Sequence, residues 1–187
     1  MAQAKLTHVA FEDVRGSRKQ LPAVTEVRLL RTLVRILNQN EVCSIATMTR
    51  RRQPHINTAY FCCSSQLVLY FLSHPNAQHC RNVVEDPSAA VAVYSSTQPW
   101  GTPSVGVQLF GVCRRATGSD ERRAERLYVR RFPAYRRWRA GGEIGAGGEY
   151  AFYRLVVNRF KLLDESAIGD GILARADVHR IGAPNMR

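Results

Sequence analysis

No stretch of this 187-residue sequence approaches the roughly 18–20 apolar residues that a bilayer-spanning helix needs. The opening residues, Met1 to Ala10, lack the basic start and apolar run of a secretion signal. Lysine is almost missing: only Lys5, Lys19 and Lys161 occur, so the 27 basic residues are nearly all arginine. The five cysteines are odd in number and contain no C-x-x-C pair. Cys62 and Cys63 are adjacent, which on a strand sends them to opposite faces and denies them a common ligand. These absences exclude a membrane helix and a disulfide framework, and they give the expectation of a soluble, cytoplasmic protein with no membrane partner.

What is present is ordinary globular material, 45% hydrophobic and 22% charged. That length fits one domain able to bury about two-thirds of its unfolded surface without metal or disulfide. The net charge of +12 is the outlier. A basic balance points to a polyanion such as nucleic acid. An arginine bias also follows from base composition, and many arginines fall on one segment, Arg114 to Arg139, where they would decorate the outside of a helix. Charge alone assigns no partner.

Along the chain, residues 1–21 read as a polar arm without clear period. A helix is expected from Pro22, with Val24, Val27, Leu30, Val34 and Leu37 as its apolar stripe, ending near Asn38-Gln39-Asn40. Strands follow at Val42 to Met48, His55 to Cys63 and Leu67 to Leu72, separated by polar turns. A short helix over Pro75 to Glu85 turns Ala77, Cys80, Val83 and Val84 inward and stops at Asp86-Pro87. Further strands are expected at Ala89 to Tyr94, Val105 to Ala116 and Phe152 to Leu163. Gly106 and Gly111 inside the second of these imply a bend or a close approach. Ser119-Asp120-Glu121 starts an arginine-rich helix that Pro133 ends or kinks, and Gly141 to Gly148 reads as a hinge. Six mostly antiparallel strands with helical decorations make a mainly β protein, a small barrel that closes its own edges. The barrel domain would span 22–163, with 164–187 as an extension.

The stretch from Pro54 to Tyr94 carries the chemistry. Ser73-His-Pro-Asn-Ala-Gln-His79-Cys-Arg81-Asn82 puts polar and basic groups at a strand end and in the first turns of a short helix, where free N–H groups favour anions. Pro54-His-Ile-Asn-Thr-Ala-Tyr-Phe61, Tyr70-Phe-Leu-Ser73, His79-Cys-Arg-Asn82 and Asp86-Pro-Ser-Ala-Ala-Val91 stand in order. Gly106 to Gly111 and Tyr128 to Pro133 follow. In this order they resemble the pyridoxamine-phosphate-oxidase-like, FMN-binding split-barrel superfamily over about residues 40–163.

The resemblance implies a six-stranded split barrel of the FMN-binding type. It also implies a homodimer with FMN in grooves at the subunit interface and hydride or electron transfer to a small-molecule substrate. Asn57, Thr58 and Ala59 would lie along the isoalloxazine and ribityl chain. Ser73, His79, Arg81 and Asn82 would surround the phosphate, and Gln108 would approach the ring from the long strand. Tyr60, Trp100 or Trp138 would wall the exposed flavin face. Histidine at 79 stands where many members have lysine, so a permanent cation gives way to one titrating near neutrality. The arginine-and-tryptophan segment that closes the substrate site of true pyridoxamine-phosphate oxidases is missing after Leu163, which argues against the vitamin B6 reaction. A deazaflavin cofactor is the variant on the same fold. A non-catalytic nucleic-acid or polyanion binder is the alternative from another class, and a barrel holding haem is a third. His55, His74 and His79 with Cys80 do not make a metal site, because the 74–79 spacing is not that of a one-face helical pair.

Overall fold

The computed structural model describes residues 4–141 and 149–180. Strands run at Ala4–Asp13 (β1), Arg18–Lys19 (β2), Val42–Met48 (β3), Pro54–Cys63 (β4), Val68–Ser73 (β5), Ser88–Tyr94 (β6), Val105–Arg115 (β7), Ala151–Asp164 (β8) and Ile172–Arg180 (β9). Helices occupy Glu26–Gln39 (α1), Gln78–Glu85 (α2), Ser119–Arg131 (α3) and Ala134–Ala140 (α4). The sheet order β8-β5-β4-β3-β6-β7 closes on itself because β7 also pairs with β8, so six antiparallel strands form a barrel with helical decorations. The other three strands form a wing: β9 pairs with the distal half of β8, β1 with β9, and β2 with β1.

Alternation along each strand decides what fills the barrel. Cys43 and Ile45 of β3, Phe61 of β4, Leu69 and Phe71 of β5, Val91 and Val93 of β6 and Leu155 of β8 point inward and are buried. On β7 the pairing with β8 slips between Phe110 and Gly111. A Cβ added at Gly111 would stand 2.0 Å from the Val156 carbonyl oxygen, so the close approach expected for an interior glycine is met here.

The six barrel strands lie where the sequence pattern puts them, but three readings need correction. Residues 1–21 are not a free arm: β1 pairs with β9 along most of its length. A bulge between Thr7 and Ala10, with His8 at φ 49°, interrupts the two-residue alternation that would have marked a strand. On α1 the buried face is Leu29, Thr32, Leu33, Ile36 and Leu37, while Val27 and Val34 of the expected stripe are exposed. Apolar residues occur on more than one side of this helix, and the bulkier Leu29, Leu33, Ile36 and Leu37 take the core in place of the two valines; Thr25 caps the start, its Oγ1 accepting from the Arg28 N–H. On α2, Val84 is exposed, and Asn82 is buried with Cys80 and Val83.

Two outward surfaces of the barrel differ. Over β5 and β8, Val68, Tyr70 and Phe152 lie under α3 and α4, packed with Ala124, Tyr128 and Tyr135. Over β3, β6, β7 and the first half of β4 the outward residues are left partly or fully exposed, whereas at the end of β4 Cys62 is buried under α3 and Tyr60 packs on Phe132. The registers put Tyr60, Thr58 and Ile56 beside Val42, Ser44 and Ala46, then Ala92 and Ala90, then Gln108 and Phe110. Val42, Ile56, Tyr60 and Tyr94 on this face are exposed.

Candidate cofactor site

The site is built where β5 ends and α2 begins. After Ser73 the chain turns back on itself: the Ala77 N–H donates to the His74 carbonyl at 2.9 Å and the Asn76 N–H to His74 Nδ1 at 3.1 Å. Ala77 supplies no side-chain cap to α2, so among the described residues no side chain accepts from the Gln78 and His79 N–H groups that open the helix. Because α2 lies against β3, β4 and β7, its side chains meet the first residues of β4.

His79 is the hub. Its Nε2 lies 2.7 Å from the Ser73 hydroxyl. Its ring stacks on His55 at 6.4 Å between centroids, 12° from parallel, and tilts against Phe71 at 6.2 Å. Burial, and then the neighbouring His55, pull its pKa below the ordinary histidine value, so the neutral ring prevails near neutral pH. Beside it the Arg81 guanidinium donates to the Asn76 carbonyl and, at 2.7 Å, to Gln78 Oε1. Its position is thereby fixed while the charge stays exposed. Asn82 is turned into the protein instead: its amide donates to Thr47 Oγ1 at 2.9 Å and its Oδ1 accepts from Gln78 Nε2 at 2.7 Å. It ties α2 to β3, and an anion could reach it only by displacing both partners.

The three β4 residues do not share a surface. Asn57 and Ala59 face the interior side and are partly buried, whereas Thr58 is on the outward face. Asn57 Oδ1 is buried and, among the described residues, has no hydrogen-bond donor. Gln108 is exposed on the outward face of β7, beside Ala92 and Lys161. It is three strands from β4 and apart from the His79 cluster of its own chain. Of the expected wall residues, Trp138 meets Tyr150 edge-on at 5.5 Å, and Tyr150 in turn meets His74 at 5.7 Å, so this aromatic series borders the β5–α2 turn. Trp100 is fully exposed in the β6–β7 loop, and Tyr60 packs on Phe132 on the outward face.

Reasoning from the sequence missed His55 as the stacking partner of His79, and it missed Glu149, whose carboxylate lies 2.9 Å from His74 Nε2. Both are distant in sequence; the one available signal was that His55 begins a strand aimed at the same end of the barrel. Residues 142–148 of the expected glycine hinge lie outside the described residues. Among the described residues no three His, Cys, Asp or Glu side chains converge as metal ligands do.

The pyridoxamine 5'-phosphate oxidase family model matches residues 29–158, a span that covers most of α1, the whole β3–β7 barrel segment and the first half of β8. The chain belongs to this family. Solved structures agree on the fold. A heme-binding protein from Mycobacterium smegmatis superposes with a TM-score of 0.61 at 22% identity, covering 86% of this chain and 59% of its own. A putative pyridoxamine 5'-phosphate oxidase from Listeria innocua gives 0.57 at 17% identity, covering 72% and 98%. HutZ, the heme storage protein of Vibrio cholerae, gives 0.54 at 14% identity, covering 78% and 94%. At these identities the likeness is one of fold. No curated protein matches the sequence. None of the helices described for this family member is long and apolar enough to cross a membrane.

Proposed function

We propose that the protein is an FMN-binding oxidoreductase that works as a homodimer, with the flavin between the β5–α2 turn of one copy and the bare outward face of the other. The observation that carries the reading is Asn57 Oδ1, a buried acceptor left without a donor. Such a group costs about 1–3 kcal/mol unless satisfied, and the ring N–H of a flavin is a donor of the right kind. The phosphate would lie against Arg81, the Ser73 hydroxyl and His79, within reach of the free N–H groups that open α2. A second copy laid on the bare face would cover its apolar residues and would bring Gln108 toward the ring. When bound, the flavin supplies hydride or electron transfer to a small molecule. The protein's part is to orient it, exclude water through Trp138 and Tyr150, and set the local charge.

His79 limits the phosphate affinity. Neutral, it offers Ser73 and the phosphate one hydrogen bond; protonated, it adds a cation. Because a bound phosphate favours the protonated ring, whereas burial and His55 hold the pKa of the free protein below the ordinary value of about 6.5, FMN binding should tighten as the pH falls. Quenching of flavin fluorescence on titration into the protein, at pH 5.5 and 8, tests this. Binding that strengthens at the lower pH and weakens on Arg81→Gln supports the reading; absence of binding at both pH values rejects it. The same titration with a deazaflavin separates the two cofactors.

A second reading is supported by the His55–His79 pair. Two stacked imidazoles at a barrel mouth could offer an axial ligand to haem, and the mycobacterial and Vibrio neighbours are named for heme. A Soret band on adding hemin that is lost in His79→Ala and His55→Ala, with no FMN binding, would favour it.

A further inference from the structure

Away from the cofactor site, the wing holds a concavity of its own. A groove of about 550 Å³ lies between the β1–β2 hairpin and the outward face of β8 and β9. Phe11, Leu21 and Pro22 line it, and four cations reach it: Arg18, Lys19, Arg159 and Arg175. Two of the four are held in place by carboxylates, Lys19 by Asp13 at 2.9 Å and Arg175 by Glu12 at 2.8 Å. The Lys19 contact in turn keeps the Asp13 carboxyl ionised, below its usual range. The other two have no acidic partner among the described residues. Arg18 is exposed at the hairpin, and Arg159 is stacked over the Phe110 ring at 5.1 Å, which fixes the guanidinium plane without neutralising it. The one acid lining the groove, Asp177, is engaged by His8 Nδ1 at 2.9 Å, at the bulge where β1 takes φ 49°.

We propose that this groove binds a small multivalent anion, a phosphate ester or a polycarboxylate, gripped by Arg18 and Arg159 with Lys19 and Arg175 fixed beside them. Guanidinium groups pair bidentately with both chemistries. The mixture of pre-paired and unpaired cations explains how four positive charges are tolerated side by side while two remain available. The groove is lined by neither Ser73, His79 nor Arg81, so its occupant is separate from the cofactor phosphate.

Isothermal titration of the full chain without flavin, with inorganic pyrophosphate and separately with citrate, tests the site. Saturable binding of at least one is expected, with a dissociation constant of about 1 mM or tighter, falling with added potassium chloride. Arg18→Gln and Arg159→Gln, both at exposed positions, should each weaken it about tenfold or more. Tighter pyrophosphate would mark a phosphate ester as the natural ligand, tighter citrate a polycarboxylate. Binding of neither anion overturns the proposal. So does binding that survives both substitutions but is lost in Arg81→Gln, since that anion would be reading the β5–α2 turn. FMN affinity should be unchanged in Arg18→Gln, so failure of the flavin reading and failure of this one remain distinguishable.

Discussion

On the outward side of β5 and β8, Val68, Tyr70 and Phe152 lie beneath α3 and α4; on the outward side of β3, β4 and β6, Val42, Ile56 and Tyr94 lie open. The same barrel thus makes two apolar outer surfaces and covers one of them. The covered one is rich in large aromatics, with Tyr128 meeting Phe132, Tyr135 and Phe152 at 4.8–5.4 Å between ring centroids. The open one is built from alanine, serine and threonine in register, with larger residues around them. A helix packs by inserting bulky side chains, whereas a flat field of small residues suits the approach of another sheet. The chain covers one face by itself and leaves the other open; on the proposed dimer, the open face is where a second copy would pack.

The sharpest way to break this contrast is to put a charge on each face in turn. Ala124 on α3 is wholly buried against the covered face. Ala124→Glu would bury a carboxylate with no partner and should cost about 4 kcal/mol or more, enough to lower the urea midpoint severely or to prevent folding. Ala92→Arg on the open face should do something different. If a second copy packs there, the mass in solution measured by light scattering should fall by half while the unfolding midpoint of the chain moves little. A wild-type protein that is already monomeric would end the dimer reading.

A smaller effect is expected where the covering helix is tied to the rest of the molecule. Arg131, at the end of α3, donates to the carbonyls of Leu37, Asn38 and Asn40, the free acceptors at the C-terminus of α1, and stacks over Phe61 at 5.0 Å. It is the bolt between α1 and the covered face. Arg131→Ala should cost about 2 kcal/mol in denaturant unfolding, with the oligomeric state unaffected. Loss of dimer in this variant instead would show that the two faces are coupled.

The barrel was legible in the sequence because its strands alternate cleanly and are parted by polar turns. Val42–Met48 is the strand expected there, and the ends of the other five strands shift by one residue at most. The wing was not legible, for two physical reasons. His8 at positive φ breaks the alternation of β1, and β9 buries only Ala174, Ala176 and Val178, whose small side chains give a faint hydrophobic signal. The site was half legible. Ser73 and His79 are six residues apart, and the turn that joins them could be read locally. The stacking of His55 on His79 and the burial of Asn82 against Thr47 depend on how α2 lies over the barrel end, which no local pattern encodes. Thr58 and Asn57, adjacent in sequence, were expected to line one ring, yet strand geometry sends them to opposite surfaces.

The least effect belongs to His79, and it separates a structural from a ligand-binding role for the open mouth of the barrel. Burial and His55 hold its folded pKa below the value of about 6.5 that it has in the unfolded chain. Below that value the unfolded state therefore takes up more protons than the folded one, and stability falls as the pH falls. Above it both states carry a neutral ring and the contribution is complete. Thermal midpoints followed from pH 7.5 to 5 should decline modestly, and His79→Gln, which keeps a hydrogen bond to Ser73 but cannot titrate, should flatten part of that decline. FMN at the β5–α2 turn would oppose the trend, because an anion there favours the protonated ring. A ligand-induced stabilisation that grows toward pH 5 in the native protein and is level in His79→Gln would place the phosphate against this histidine. Equal stabilisation in both would leave Arg81 as its sole cation.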